Sequence, residues 1–137
     1  MEKTAERQRL VEVGNAADQG SARNGWFIGH FIDRALGLRH SGEIEVKWGT
    51  HRAGESKSNY GANDRAKTLS ILISGRFVLE FPDSGEIVHL EQPGDFALWP
   101  PGPRHRWTVI EDAVILTVRW PSLPGDQKAS EGPPGQP

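Results

Sequence analysis

The chain has 137 residues, enough for one domain with one real core. Its formal charge is −2 with acids and bases interspersed, so no global positive field would draw nucleic acid. It has no cysteine, which excludes disulfides, thiolate nucleophiles and sulfur metal ligands.

The N-terminal stretch Met1 to Asn24 is polar and rich in Gly, Ala and Asn, and reads as an extension. One short helix is expected around Thr4–Val13, where Leu10, Val11 and Val13 make only a small apolar stripe. No signal-peptide core is present, and nowhere do about 18 apolar residues stand together. The expectation is a cytoplasmic protein with neither membrane nor nucleic-acid partner.

From Gly25 to Trp120 the apolar pattern has period two. Ile44, Val46 and Trp48 alternate with Glu43, Glu45 and Lys47, which predicts an inward apolar row and a solvated Lys47. Leu69, Ile71 and Ile73 alternate with Thr68, Ser70 and Leu72, and Phe77, Leu79 and Phe81 form a further row. Val114, Leu116, Val118 and Trp120 oppose Ile115, Thr117 and Arg119. Arg119 is therefore expected to be exposed, since a buried arginine needs an acidic partner or an anionic ligand. Pro82 to Gly85 reads as a hairpin loop and Gly75 as a bend or bulge. About eight short strands without intervening helices predict an all-β sandwich or barrel. Pro121 to Pro137 lacks anything to bury and is expected to be a disordered tail. The division is thus 1–24 extension, 25–120 β-domain and 121–137 tail.

One segment goes further. Gly94-Asp95-Phe96-Ala97-Leu98-Trp99-Pro100-Pro101-Gly102-Pro103-Arg104-His105 encodes a strand, a rigid turn and a returning strand that begins near His105. It resembles the second motif of small single-domain cupins, over a region of about Gly25 to Trp120. The resemblance implies a double-stranded β-helix, or jelly-roll barrel, with the His105 side chain aimed into its mouth. The first cupin motif, His-x-His, then Glu, then Gly, would end at Gly75. Its Glu position then falls on Thr68, and its histidines on Ala62 and Asp64 or on Gly61 and Asn63. Of the three His and one Glu that usually hold metal, only His105 survives. One imidazole does not hold a divalent ion against water. The expectation is therefore no metal cofactor, with a divalent transition metal rebuilt on His51, Asp64 and His105 as the alternative.

The resemblance makes His105 the candidate catalytic acid/base, since an unperturbed imidazole titrates near about 6.5. Thr68 and Ser70, on the face that usually carries the glutamate, would orient a ligand through their hydroxyls. Trp107 and His51 complete the candidate ligand site. Each has a plainer reading: His105 can hydrogen-bond a backbone carbonyl, Trp107 can be core, and the two hydroxyls can satisfy each other. His30 is placed on one face of the first strand with Ile28 and Ile32, and His40 and His89 on the surface. The functional expectation is a small-molecule-binding cupin, with metal-independent isomerase, epimerase or cyclase chemistry at His105. The alternatives are a non-catalytic binding or sensing module and a metal-dependent oxygenase or isomerase. A homodimer is expected by analogy.

Overall fold

In a computed structural model, which describes residues 10–130, eight strands follow one short α-helix, with 3₁₀ segments at Ser21–Arg23 and, after the first strand, Arg34–Arg39. The strands are β1 (Trp26–Ile28), β2 (Glu45–His51), β3 (Tyr60–Asn63), β4 (Lys67–Phe81), β5 (Glu86–Leu90), β6 (Phe96–Trp99), β7 (Arg106–Trp120) and β8 (Gln127–Ser130). All pairings between them are antiparallel. The main sheet runs β1-β2-β7-β4-β5, with β6 also paired to β4, and β3 pairs β8 in a second, two-stranded sheet.

The backbone of the fold is the long β4–β7 pair, which runs from Lys67 opposite Trp120 to Glu80 opposite Arg106. Its register shifts between Leu72 and Phe77, and there both strands bend so that the sheet folds over on itself. Gly75 makes the bend possible: its φ is 90°, and a Cβ there would lie 2.0 Å from the Asp112 carbonyl oxygen. Beyond the bend Phe77, Leu79 and Phe81 pack with Leu90, Val109 and Trp99 into the core. The Pro82–Gly85 turn joins β4 to β5 as expected, with the Gly85 N–H donating to the Phe81 carbonyl at 2.9 Å.

Several expectations need correction. The expected runs at 68–74 and 76–81 are one strand, as are those at 105–109 and 113–120. A bulge or bend interrupts the side-chain alternation without ending the hydrogen-bonded ladder. The first strand stops at Ile28, so His30 lies in the turn after it and donates its backbone N–H to Ser122 Oγ at 3.0 Å. His40 is half-buried, its Nδ1 2.7 Å from the Ile32 carbonyl, whereas His89 is exposed. The helix is α1 (Ala16–Gly20), capped by the Asn15 side chain, which accepts from the Asp18 N–H. Residues 10–13 are exposed and non-helical, and the rest of the expected Thr4–Val13 helix lies outside the described residues.

The segment expected to begin a disordered tail is built into the fold as far as Ser130. Four residue pairs join β8 to β3. Ser122 is 1% exposed, and the buried Asp126 carboxylate accepts from Asn63 Nδ2 and from the Arg65 and Ala66 N–H groups. Here small polar residues are held by hydrogen bonds, which apolar patterning does not register. The remainder of the expected tail, 131–137, lies outside the described residues. Removing residues 121–137 is accordingly expected to lower Tm by more than about 4 °C, the equivalent of roughly 1 kcal/mol. A melting curve that moves by less would show that the Asp126 contacts contribute little.

Candidate functional site

Antiparallel pairing arranges the inner face of the sheet in rows, because directly opposed residues place their Cβ atoms about 4.5–5.5 Å apart. One row reads Glu45, Arg119, Thr68, Trp99 across β2, β7, β4 and β6. The next reads Trp26, Lys47, Thr117, Ser70, Ala97, and below it Gly49, Ile115 and Leu72 form an apolar floor. These rows, apart from Glu45, Ala97 and Leu72, wall a cavity of about 240 Å³, whose far side is Phe77, Leu79, Trp107 and His105. That is room for a compact molecule, somewhat below the ~300–1,000 Å³ of drug-sized pockets. A wider depression shares Asn24, Lys47, His51, Lys57 and Trp107 with the cavity and forms its mouth.

All five residues singled out in the sequence line this one cavity: His105, Thr68, Ser70, Trp107 and His51. His105 comes from the Pro-Pro-Gly turn, where Gly102 has φ 112° and donates its N–H to the Asn63 carbonyl at 2.8 Å. The His105 backbone exchanges two 2.9 Å hydrogen bonds with Gly61, which fixes the strand start. Its ring packs 4.9 Å from Trp99 and 6.0 Å from Phe81. His51 sits against Trp107 at 4.5 Å and Phe77 at 5.7 Å. Ser70 and Thr117 hydroxyls are 3.0 Å apart.

The cations are the residues that sequence reasoning misplaced. Lys47 was expected in solvent and Trp48 in the core, but the face of β2 is inverted, and Glu45, Lys47, Gly49 and His51 point inward. Arg119, expected to be exposed, is 6% exposed. It has the acidic partner that such burial requires: Nη1 donates to Glu45 Oε2 at 3.4 Å and to Gln127 Oε1 at 3.0 Å. Lys57 from the loop before β3, and Gln127 from β8, also line the cavity. No signal in the sequence marks either of them.

Three cationic side chains therefore face the cavity, and among the described residues none that lines it is acidic. Burial, reinforced by Arg119 and Lys57, pushes the Lys47 amine down to about 8. Burial and then Arg119 lower Lys57 as well. Burial, with the Arg119 charge adding to it, pushes His105 down to about 4, so its ring is neutral at physiological pH rather than poised near its ordinary value. His51 is lowered by burial and by Lys47, partly opposed by Glu55. Arg119 Nε and Thr68 Oγ1 are buried without a hydrogen-bond partner in the protein, whereas the His105 ring lies beside the Pro103 backbone, whose hydrogen bond partly opposes the fall in its pKa. Thr68 and Arg119 are directly opposed in register, so two of these groups converge on one spot. Buried polar groups ordinarily find partners, and groups of this kind suit a polar ligand.

The low His105 pKa has a consequence for stability. Between about pH 6.5 and about 4 the unfolded chain binds a proton that the folded ring refuses, so stability rises with pH across that window. On acidification His105 alone should remove roughly 3 kcal/mol, fully lost below about pH 4. Urea unfolding of His105→Gln should show a flatter dependence than wild type from about pH 4 to 7. Parallel curves would mean that the ring is not desolvated.

The donors do not fit the metal usual in this kind of motif. Among the described residues no three His, Cys, Asp or Glu side chains converge. Asp64 does not join His51 and His105; it lies at the surface, 3.8 Å from Lys128 Nζ. Thr68 brings a neutral hydroxyl to the cavity, and Lys47, Lys57 and Arg119 would repel a divalent cation from the same space.

No protein-family model matches this sequence, and no curated protein matches it. Solved structures do match in fold. An uncharacterised conserved protein with a double-stranded beta-helix domain from Klebsiella pneumoniae superposes with a TM-score of 0.57 at 20% identity, covering 66% of this chain and 77% of that one. KdgF from Halomonas sp. gives 0.54 at 20% identity over 62% and 74% of the two chains. A cupin superfamily protein from Desulfitobacterium hafniense gives 0.52 at 20% over 61% and 72%. Together with the bent β4–β7 pair and the Gly94–His105 turn, these matches establish that the chain has the double-stranded β-helix fold of the cupins.

Proposed function

We propose that the chain is a small-molecule-binding cup for a compact carboxylate and works without a bound transition metal. The observation that carries this reading is the cavity wall: Lys47, Lys57 and Arg119 face it with no acid among its described lining residues. Glu45 compensates Arg119, but Lys47 and Lys57 have no acidic partner among the described residues, and an anionic ligand relieves the cost of holding them beside Arg119 in so small a space. Arg119 and Thr68, whose Nε and Oγ1 are buried without a partner in the protein, line one end, and Phe77, Leu79 and Ile115 supply a dry surface at the other. Turnover, where it occurs, is metal-independent proton transfer: isomerisation, epimerisation or cyclisation of the bound acid. His105, neutral, would accept a proton at one ring nitrogen while donating at the other, and Ser70 and Thr68 would orient the substrate. The low basicity of His105 favours a second reading, a binding or sensing module that uses the same cavity without turnover. The dimer has a candidate surface on the outer face of the sheet, where Phe96 and Leu98 are exposed.

Calorimetric titration with a panel of compact carboxylates and their neutral amides tests the reading. Carboxylates should bind and the amides should be weaker by about ten-fold or more. His105→Ala should weaken binding by about ten-fold or more and shift stability by about 1 kcal/mol. Trp107→Ala should weaken binding through lost apolar contact while leaving any proton transfer in place. Equal affinity for the amides would defeat the anion assignment. A stoichiometric transition metal, lost in both His105→Ala and His51→Ala, would defeat the metal-free one.

A further inference from the structure

We propose that Lys47 is a reactive amine that condenses with 2-oxo acids, holding them in the cavity as an imine; this rests on the carboxylate reading above and names its substrate class. Lys47 lies on the inner face of β2, opposite Thr117 on one side and Trp26 on the other, with Nζ 5.7 Å from the Trp26 ring centroid. It lines both the cavity and its mouth, so a ligand entering from solvent passes it. Among the described residues no side chain hydrogen-bonds or ion-pairs with its amine. The charged and titratable groups gathered around it are Arg119 from β7, Lys57 from the loop before β3, and His51 from its own strand. Glu45, two residues away on the same face, is engaged by Arg119 and by the Ser122 hydroxyl.

An amine desolvated and crowded by other cations holds a larger share of its free base near neutral pH, which is how enzymes make lysine nucleophilic toward carbonyls. Here burial and the two neighbouring cations do so. The same cations attract the carboxylate of a 2-oxo acid and bring its carbonyl carbon toward Nζ. The Nζ lone pair forms the C–N bond while the carbonyl π pair moves to oxygen, which takes up a proton. The resulting carbinolamine loses its hydroxyl with one proton as water, and nitrogen keeps the C=N bond. Amine and ketone become imine and water, with no oxidant or reductant. Thr117, directly across from Lys47 and paired with Ser70, is placed to pass a proton to the departing oxygen.

The test is reductive trapping of the full chain by pyruvate and sodium cyanoborohydride, read by intact mass and peptide mapping. One adduct per chain is expected, on Lys47. Lys47→Met and Lys47→Arg should each lower labelling by about ten-fold or more, while Lys57→Met should slow it but leave the adduct that forms on Lys47. Acetone, which has the carbonyl without the carboxylate, should label about ten-fold more slowly. Lys47→Arg retains the cation, so its binding of propionate, measured without reductant, reports that the cup is intact. Labelling spread over surface lysines, mapped to Lys57, or unchanged in both Lys47 variants overturns the proposal. Propionate binding to wild type without any trapped adduct overturns it too and leaves the carboxylate cup standing. Failure of propionate and pyruvate to bind removes both readings.

Discussion

Gly75→Ala is expected to destabilise the protein by about 3 kcal/mol or more, whereas Gly85→Ala costs about 1 kcal/mol. Both glycines have positive φ, 90° and 78°, so both substitutions incur the strain of a left-handed conformation. They differ in space. A Cβ on Gly85 meets nothing within 4 Å. At Gly75 it would meet the Asp112 carbonyl oxygen at 2.0 Å and Ala113 Cα at 2.6 Å, both backbone atoms of the paired strand. Neither can rotate away, so β4 and β7 must part where the sheet folds over. The bend also sets which side chains face inward: before it they are Thr68, Ser70 and Leu72, and after it Phe77, Leu79 and Phe81. Parting the strands there should loosen the cavity as well as the core, so carboxylate binding should fall with stability. Urea unfolding of the two variants decides the matter. A difference of less than about 1 kcal/mol between them would mean that the close approach at Gly75 is easily relaxed.

The bend was legible because glycine carries its own conformational signature, and the Gly94–His105 turn because proline and glycine do so together. The alternating strand runs gave the all-β class, these two features gave the bend and the turn, and the resemblance to cupins implied the inward face of Thr68, Ser70 and His105. What failed was the rule that the apolar row of a strand faces in. In the half of the sheet that forms the cup, the inner rows hold Glu45, Lys47, Thr117, Arg119, Thr68 and Ser70. The outer rows hold Val46, Val118, Leu69 and Leu98, then Trp48, Leu116, Ile71 and Phe96. A cavity lined with polar and cationic side chains inverts the usual partition, and period-two patterning gives the period without the sign. The sign was readable for Thr68 and Ser70 from the family motif. Extending it to Lys47 and Arg119 required knowing that they sit opposite those hydroxyls through β7, and register between distant strands is not written in local sequence. Gln127 and Asp126 were out of reach for a different reason: hydrogen bonds hold that segment, and their partners, Arg119 and Asn63, are far away in the chain or face a cavity not yet known.

Arg119 offers the sharpest separation of fold from binding. Arg119→Met is expected to cost about 3 kcal/mol, because it leaves the Glu45 carboxylate buried without its strongest cationic partner. That carboxylate is 10% exposed, and it keeps the Ser122 hydroxyl at 2.7 Å and the His30 ring at 3.6 Å, so the loss should stop short of full unfolding. Pairing the change with Glu45→Gln removes the stranded charge while preserving an acceptor for Ser122. The double variant should therefore recover at least about half of the lost stability, a coupling that denaturant melts of all four species in the cycle would measure. Binding should not recover with it. Arg119 lines the cavity opposite Thr68, and methionine supplies neither its hydrogen-bond donors nor its charge. Both the single and the double variant should thus bind carboxylates about 100-fold more weakly than wild type. If the double variant regains affinity along with stability, Arg119 serves the fold alone, and the anion is held by Lys47 and Lys57. If the single variant melts like wild type, Glu45 has found its compensation in His30 and Ser122, and the Arg119 guanidinium is free to act on the ligand only.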